Sequence, residues 1–251
     1  MSTPQDKVAL ITGANKGLGL EIARQLGRQG IRVIVGARDL AKGEPAAAKL
    51  KAEGLDARAV QLDVTKAADI AALPAFLQKH YGRLDILVNN AGISVDTPPG
   101  GDWMHTTAGS ISPERLRQTY DTNFFGVVAL TQALLPLLKA SPAGRIVNQS
   151  SILGSLALHA DPKSPIYDVK PFGYDSSKAA LNAFTVHLAY ELKDTKVKVN
   201  SAHPGWVKTD MGGEGATMEL PDGAKTAVWL ATVPEDGPTG GYFHMKDRLP
   251  W

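Results

Sequence analysis

Short runs of β-branched and other apolar residues alternate along the chain with longer stretches in which apolar positions recur at helical spacing. Such alternation is typical of βαβ units built around a buried parallel sheet. The runs predict strands at 8–11, 32–36, 57–62, 84–88, 145–149 and 196–202, and a short last strand at 242–243. The stretches between them predict helices near 17–29, 41–53, 66–81, 113–138, 173–193 and 222–231. The pattern therefore predicts one α/β domain over 1–251, a doubly wound parallel sheet with helices on both faces.

Two of the predicted helices begin with recognisable capping signals. Ser112 precedes Pro113, a residue favoured in the first helical turn, and Thr65 precedes Lys66. Two connections, at 93–112 and 159–172, are longer than compact packing requires. Each is either a wall of a binding site or a surface insertion, and both interpretations stay open.

Composition excludes several classes of function. The 251 residues include no cysteine, which rules out disulfide scaffolds, thiolate nucleophiles and zinc sites with cysteine ligands. The six histidines are scattered, so no metal site is expected, and a net charge of +2 is far from the basic surface that nucleic acids require. The amino terminus has no secretory pattern, and the longest apolar run, 126–138, is interrupted by polar residues and proline. We expect a cytoplasmic protein that acts on a small molecule without binding nucleic acid or membrane.

The first predicted strand ends in a glycine-rich turn with the spacing Gly13-x3-Gly17-x-Gly19, and an apolar helix pattern follows at once. Glycines allow backbone amides to approach a pyrophosphate at the positive end of a helix. The spacing differs from the Gly-x-Gly-x-x-Gly dinucleotide fingerprint. The turn is therefore either a nucleotide-binding loop or only a tight βα connection, and its context favours the first.

The end of the second predicted strand bears on which dinucleotide binds. NAD-binding folds commonly place an acidic residue there, whereas this chain has Arg38, with Lys16 in the glycine turn as a second cation. A guanidinium pairs with a 2′-phosphate and stacks on adenine, so the sequence predicts NADP(H). The alternative is that Arg38 is merely solvated and that Asp39 holds the ribose.

Two Tyr-x3-Lys pairs occur, at Tyr174 and Lys178 and at Tyr242 and Lys246. Residues four apart share a face only in a helix. The second pair lies between a Gly-Gly dipeptide and Pro250, where there is little room for a helix. The first follows a strand ending in hydroxyl residues, at an edge where open α/β sheets bind ligands.

Several motifs occur together in a fixed order: the glycine turn, Asn-Asn-Ala-Gly at 89–92, Ser151, Tyr174-x3-Lys178 and Pro204-Gly205. With this order the whole chain resembles the short-chain dehydrogenase/reductase family. The turn at 13–19, the Ala-Arg-Asp segment at 37–39 and the segment 204–211 resemble its NADPH-dependent carbonyl reductase branch. The resemblance implies a Rossmann-type fold, NADP(H) as cofactor, and hydride transfer that reduces a ketone or aldehyde to an alcohol.

The resemblance also implies particular residues. The catalytic set is Asn123, Ser151, Tyr174 and Lys178, with Ser150 left structural. Asp63 and Val64 match the positions at the adenine, Asn90 the position at its ribose, and Thr209 the position at the nicotinamide. The full set implied to contact the cofactor is Gly13, Asn15, Lys16, Gly17, Leu18, Gly19, Arg38, Asp63, Val64, Asn90, Ala91, Gly92, Tyr174, Lys178, Pro204, Gly205, Val207 and Thr209.

The chemistry of these side chains suits carbonyl reduction. As hydride arrives at carbon, negative charge develops on oxygen, so a hydrogen-bond donor and a proton source are required there. Ser151 would donate the hydrogen bond and Tyr174 the proton, with the pKa of the phenol lowered by about 3 units through Lys178 and the oxidised nicotinamide. Asn123 would hold a water that relays protons, or it only bonds to a neighbouring carbonyl or marks a bend. Ser151 is alternatively a plain strand-end hydroxyl, and Tyr174 and Lys178 part of an ordinary amphipathic helix.

The chain departs from the family in one respect, since 23 positions separate Ser151 from Tyr174 where about a dozen are usual. The extra residues form either a wall of the substrate pocket, which we favour, or an obstruction to dimer formation, and the oligomeric state stays undecided. Trp103, Ile152, Leu153, His159, Phe172, Trp206 and Met211 either surround an apolar substrate or belong to the core. An NADP-binding regulator with a vestigial site is the alternative function, and an isomerase or dehydratase is disfavoured.

Overall fold

A computed structural model of the chain describes residues 7–97, 101 and 106–251. An eight-stranded sheet crosses the molecule in the order β3-β2-β1-β4-β5-β6-β7-β8. The first seven strands are parallel, and β8 pairs antiparallel with β7. Strand order reverses between β1 and β4, which in open α/β sheets creates a crevice at the carboxyl ends.

The strands lie where the apolar runs predict them, with ends displaced by one or two residues. They are β1 (Val8–Thr12), β2 (Arg32–Ala37), β3 (Ala57–Gln61), β4 (Ile86–Asn89), β5 (Arg145–Gln149), β6 (Lys198–His203), β7 (Gly241–His244) and β8 (Asp247–Arg248). Because β1 and β4 are buried along their whole length, their sequences are mostly apolar runs rather than alternating patterns.

The helices also agree with the helical spacing. They are α1 (Gly17–Arg28), α2 (Leu40–Ala52), α3 (Ala67–Tyr81), α4 (Pro113–Tyr120), α5 (Gly126–Ala140), α6 (Leu156–Ala160), α7 (Phe172–Glu191) and α8 (Leu220–Ala231). Ser112 caps α4 by accepting from the Arg115 amide, as predicted. The prediction that Thr65 caps the third helix is wrong. Lys66 is the capping position, and the Thr65 hydroxyl donates instead to Asp63, 2.7 Å away.

The helix predicted at 113–138 is continuous but not uniform. A π-helical turn at Asp121–Phe125 joins α4 to α5, and Asn123 lies in it. By length and composition the 28-residue stretch Pro113–Ala140 would suffice to cross a membrane. Its apolar face is, however, used within the fold, where Leu130, Leu134 and Leu138 pack in the core. The stretch is thus the long core helix of an α/β sheet.

Helices cover both faces of the sheet. One core cluster joins α1, α2 and α8 to one face through residues such as Ile22, Leu50 and Leu230. The second joins α3, α5 and α7 to the other face through residues such as Leu77, Leu134 and Leu188. Successive residues of β5 therefore point to opposite faces of the sheet, with Val147 in the first cluster and Ile146 in the second.

The sequence pattern did not predict several short elements. A 3₁₀ turn at Ile152–Gly154 and the helix α6 follow the catalytic-candidate serine, and the strand β8 extends the sheet edge. Each is five residues or shorter. Elements of this length show too few apolar repeats for periodicity to reveal them.

Candidate active site

The predicted site residues come together at the carboxyl edge of the sheet. The glycine turn follows β1, Asn90 follows β4, Ser151 follows β5, and Pro204 follows β6. Parallel strands bring all of these ends to one edge, and the turn after β1 lies beside the point where strand order reverses. Residues far apart in sequence thus line one crevice.

The glycine turn has the geometry of an anion cradle. Gly13 and Gly17 adopt φ values of 63° and 56°, a region that disfavours side chains. A Cβ on Gly19 would lie 2.5 Å from the Asn90 Nδ2 atom. Lys16, the capping position of α1, supplies no side-chain hydrogen bond to the first amides of that helix. The turn therefore presents backbone amides at a positive helix end.

Asn90 and Thr12 fasten the turn to β4. The Thr12 hydroxyl accepts from the amides of Asn90, at 3.0 Å, and Ala91, at 2.8 Å. The Asn90 side-chain amide donates to the Thr12 carbonyl at 2.9 Å. Here the Asn90 side chain holds the turn in place, in addition to any contact with a ribose.

Arg38, which follows β2, has an exposed guanidinium. The Arg38 side chain is exposed, while its carbonyl accepts from the Gln61 amide at 2.8 Å. Asp39 is the N-cap of α2 and accepts from the Ala41 amide at 3.0 Å. One oxygen of the Asp39 carboxylate therefore caps the helix, and the ribose role that the sequence left open stays a prediction.

Asp63 and Val64 follow β3 on the same side of the crevice. Burial raises the pKa of Asp63, but hydrogen bonds from Thr65 and the charge of Arg38 among others outweigh it and leave the pKa below its usual value. The carboxylate is thus charged at neutral pH. The Val64 carbonyl packs tightly against Gly126, where a Cβ would lie only 2.4 Å away.

The segment after β6 forms the opposite rim. Gly205 adopts a φ of 91°, Val207 packs against Gly223, and the Thr209 hydroxyl accepts from the Gly212 amide at 3.1 Å. A Cβ on Gly17 would find only the Thr209 Cγ2 atom, at 3.9 Å. The turn and this segment therefore face each other across a narrow gap.

An exposed ion pair bridges the two rims. The Lys16 ammonium, in the glycine turn, donates to the Asp210 carboxylate. Both side chains are more than two-thirds exposed, so the pair is readily exchanged for another anion. In this structure Lys16 is therefore paired with protein rather than held free for a phosphate.

Lys178 is buried on α7 and reaches back across the sheet edge. Its ammonium donates to the Gln149 carbonyl at 2.8 Å and lies 5.5 Å from the centre of the Tyr174 ring. A Cβ on Gly92 would lie 3.5 Å from the Lys178 Nζ atom, so the missing side chain there makes room for it. Burial lowers the pKa of Lys178 to about 8.

Tyr174 lies one turn before Lys178 on the same face of α7. Burial raises the pKa of its phenol to about 12, against a smaller lowering effect of the hydrogen bond with Ser151. In the protein without cofactor the pKa is raised, so the lowering expected from Lys178 together with the oxidised nicotinamide stays a prediction. Desolvation outweighs the neighbouring groups, because the Lys178 ammonium points at a carbonyl rather than at the phenol oxygen.

Ser151 is held by its backbone as well as its side chain. Its hydroxyl accepts from the Leu153 amide at 3.2 Å, and its carbonyl accepts from the Tyr242 hydroxyl. The next amide, of Ile152, donates to the His203 Nδ1 atom at 3.1 Å. The residue is thus fixed at the strand end with its hydroxyl hydrogen left to donate.

Asn123 is buried and firmly bonded. Its Oδ1 atom accepts from the Ile93 amide, and its Nδ2 atom donates to the Ile93 carbonyl and the Ser177 hydroxyl, at 2.9 to 3.0 Å. The Ser177 hydroxyl in turn donates to the Tyr174 carbonyl at 2.7 Å. Asn123 thus bonds to a nearby carbonyl in a π-helical turn, as one interpretation from the sequence had it, while the proton-relaying water stays a prediction.

The long connection before α7 is attached to that helix. The His159 Nε2 atom lies 3.1 Å from the Asp175 carboxylate and 2.9 Å from the Leu153 carbonyl. The Lys170 ammonium donates to the His159 carbonyl at 2.9 Å. His159 is therefore a structural contact of the insert rather than a free pocket residue.

Other predicted pocket residues differ in accessibility. Phe172, Trp206 and Met211 are each more than one-third exposed, so they do not belong to the core, and their place in a pocket wall stays a prediction. Ile152 and Leu153 are partly buried. Trp103 lies outside the described residues.

The sequence analysis missed two buried polar residues at this edge. Both amide atoms of Gln149 are buried without a hydrogen-bond partner among the described residues. Asp96 is 4% exposed and accepts from two amides at the start of α7. The available signal was a polar residue at the end of a buried strand and an aspartate in a loop shortly after the Asn-Asn-Ala-Gly motif.

Comparisons with known proteins agree with this arrangement. Residues 7–219 match the family model of the short chain dehydrogenases. The chain is 37% identical to carbonyl reductase (NADPH) 1 of Mus musculus over 97% of this chain and 98% of the relative. The structure of salutaridine reductase from Papaver somniferum matches with a TM-score of 0.80 and 31% identity, covering 94% of this chain and 99% of that one. NADPH-bound carbonyl reductase from chicken fatty liver matches with a TM-score of 0.82 and 25% identity, covering 98% and 99%.

The sheet and its flanking helices are therefore shared with these solved structures. The chain belongs to the short-chain dehydrogenase/reductase family.

Proposed function

We propose that this protein is an NADPH-dependent reductase of ketones or aldehydes in which Tyr174 is the general acid. The observation that carries the proposal is the Tyr174 phenol beside Ser151 and Lys178, at the edge where the glycine turn lies. Relatives named as NADPH-dependent carbonyl reductases support it.

The residues present fit NADP(H). The amides of the glycine turn suit a pyrophosphate, because side chains at Gly13 and Gly19 would fill the cradle. Arg38, exposed at the end of β2, suits a 2′-phosphate, and Lys178 the nicotinamide ribose. When bound, NADPH supplies the hydride.

The protein's own contribution is to manage charge on the carbonyl oxygen. The Ser151 hydroxyl donates a hydrogen bond to that oxygen, and Tyr174 transfers its proton as the alkoxide forms. A phenol with a pKa of about 12 remains protonated at neutral pH, so it is ready to donate. An alkoxide is more basic than a phenolate, hence the transfer is downhill even from a raised pKa.

The proposal is tested with Tyr174→Phe, which removes the proton source and little else. We expect kcat for NADPH oxidation with an aldehyde or ketone to fall at least about 100-fold, as for loss of a general acid. Tyr190→Phe, on the exposed part of the same helix, is the matched control and should leave kcat unchanged. Retention of more than a tenth of kcat in Tyr174→Phe contradicts the assignment.

Cofactor preference has its own test. Arg38→Ala should weaken NADPH binding at least about tenfold and NADH binding little, because only NADPH carries the 2′-phosphate. Arg117→Ala, an exposed arginine of α4, is the control. A wild-type preference for NADH, or equal losses for both dinucleotides, contradicts the NADP(H) assignment.

The alternative is an NADP-binding regulator without turnover. Tight NADPH binding without oxidation across aldehydes, α-diketones, β-ketoesters and cyclic ketones would favour it. The positions of Ser151 and Lys178, which are buried and hydrogen-bonded beside Tyr174, support the enzyme instead.

A further inference from the structure

The helix that carries Tyr174 lacks a side-chain cap of its own. Its capping position is Pro171, which makes no side-chain hydrogen bond. The first amides of a helix have no partner within the helix and must find one elsewhere when buried. Two of them, at Gly173 and Tyr174, belong to the turn that positions the phenol.

Asp96, from the loop after β4, supplies the missing partner. Its Oδ2 atom accepts from the Gly173 amide at 2.6 Å, and its Oδ1 atom accepts from the Tyr174 amide at 3.1 Å. Both carboxylate oxygens are therefore used, and the residue is 4% exposed. A carboxylate at this place also complements the positive end of the helix.

Gly173 makes this approach possible. A Cβ there would lie 3.0 Å from Asp96 Oδ2 and 2.7 Å from Ile111 Cδ1. A residue other than glycine would press against the carboxylate. The sequence thus places an aspartate and a side-chain-free residue in the two positions that the contact requires.

The Asp96 loop is itself held on both sides. The Arg115 Nη1 atom, from α4, donates to the carbonyls of Val95 at 2.9 Å and Thr97 at 2.8 Å. At the start of the same loop, Asn123 bonds to both the amide and the carbonyl of Ile93. The carboxylate is consequently fixed in space by the long helix of the fold.

We propose that Asp96 is a positioning residue, which caps α7 from a separate loop and so sets the place of Tyr174 relative to Ser151. The inference rests on the proposed function of Tyr174. A displacement of about 1 Å in a catalytic group costs up to about 100-fold in rate, so the cap acts on kcat. Lys178, one turn further along and bonded to the Gln149 carbonyl, keeps its place without the cap.

The test compares Asp96→Ala with Asp96→Asn, which retains one oxygen acceptor. We expect kcat to fall at least about tenfold in Asp96→Ala and no more than about threefold in Asp96→Asn, since asparagine also caps helices. The Kd of NADP⁺, measured directly by fluorescence, should change less than about twofold because Lys178 stays in place. Asp222→Ala, in the first turn of α8, is the matched control and should change neither quantity.

A second readout does not depend on activity. Hydrogen exchange of a peptide that covers 172–178 reports the Gly173 and Tyr174 amides, and Asp96→Ala should reduce their protection at least about tenfold. Gly173→Ala should do the same by displacing the carboxylate, although alanine is the better helix former. In the Asp96→Ala background, Gly173→Ala should cost less than it does alone.

Each outcome decides the proposal. Unchanged exchange in Asp96→Ala overturns the cap, and lost protection with kcat within about twofold of wild type overturns the positioning role. Parallel losses of kcat and NADP⁺ affinity also overturn it, because they indicate general disruption. If the wild-type protein reduces no carbonyl compound, the proposed function fails, while the exchange experiment still decides whether Asp96 caps α7.

Discussion

Both edges of the central sheet contain buried polar side chains, but hydrogen bonds satisfy those at one edge more completely than those at the other. At the amino edge, Asp85 and Arg145 stand before or at the start of β4 and β5. At the carboxyl edge, Gln149, Tyr174 and Lys178 lie where the same strands end. Because both sets of residues lie at the ends of β4 and β5, the comparison shows how the two ends of the same strands differ in role.

At the amino edge, the buried charged side chains have hydrogen-bond partners. The Asp85 carboxylate accepts from the Val8 amide at 2.9 Å, from the Ser141 hydroxyl at 2.5 Å and from Arg83. The Arg145 guanidinium donates to four backbone carbonyls. Buried charges with this many partners hold strands and loops together.

The carboxyl edge leaves polar groups unsatisfied. In the part of the chain that the structure describes, Asn89 Oδ1 and both amide atoms of Gln149 are buried without a partner. Burial moves the pKa of Lys178 down to about 8, that of Asp175 up to about 8 and that of Tyr174 up to about 12. Such groups cost folding energy and are typical of functional sites. The amino edge of the sheet thus stabilises the fold, whereas the polar groups at the carboxyl edge lower the stability and are of the kind found at functional sites.

The largest expected effect is at the amino edge. Asp85→Ala leaves Arg83 and the Val8 amide without their buried acceptor and should lower the free energy of unfolding by about 3 to 5 kcal/mol. Urea denaturation measures this, with the exposed Asp56→Ala as control. The folded fraction should retain wild-type kcat, and a loss below about 1 kcal/mol removes the contrast between the edges.

At the carboxyl edge, we expect removal of a buried charge to raise the free energy of unfolding rather than lower it. The pKa of Lys178 is about 8 in the folded state and near 10.5 in the unfolded chain, so below pH 8 both states hold the proton and the full burial cost is present. Stability attributable to this group rises with pH between about 8 and 10.5. Lys178→Met should therefore raise the free energy of unfolding at pH 7 by about 1 to 3 kcal/mol while weakening NADP⁺ binding.

Urea denaturation at pH 7 measures this gain, and Lys139→Met, an exposed lysine in the last turn of α5, is its control. The control should change stability by less than about 0.5 kcal/mol. A destabilised Lys178→Met variant would mean that the buried ammonium contributes to the fold, contrary to the comparison.

The pH profile sharpens the comparison further. For carbonyl reduction, kcat/KM should be level from pH 6 to about 8 and then fall as Lys178 loses its proton, by up to about tenfold per pH unit. Asp175 ionises in the same range, and its charge raises the pKa of Tyr174. Asp175→Asn separates the two, because a fall that persists belongs to Lys178. Activity that stays level to pH 10 contradicts the role of that ammonium.

The smallest effect on stability and cofactor affinity is expected at the exposed ion pair between Lys16 and Asp210. Asp210→Ala frees Lys16, so stability should change by less than about 1 kcal/mol and NADPH affinity should rise about two- to threefold at low salt. Titration at two salt concentrations measures it. An affinity that falls means that Asp210 helps to bind the cofactor rather than competing for Lys16.

Sequence patterns predicted the sheet and the long helices well, because each depends on apolar residues with a local period. Seven strands and six helices follow from apolar runs and spacing, with ends shifted by one or two residues. Elements of two to five residues, such as α6 and β8, were missed because they owe their structure to contacts with the rest of the fold. The Thr65 cap failed for a local reason, because the carboxylate of Asp63, two residues earlier, accepts the hydrogen bond of its hydroxyl.

What the sequence determined by itself is the alternating α/β fold, the glycine turn and the pairing of Tyr174 with Lys178 on one helix face, because all three depend on residues close in the chain. Only the tertiary structure decided the electrostatics and the support of the site. Lys178 bonds to the Gln149 carbonyl, Tyr174 acquires a raised pKa, and Asp96 caps a helix 77 positions away. Desolvation and long-range hydrogen bonds arise when distant segments pack together, and local patterns do not encode them.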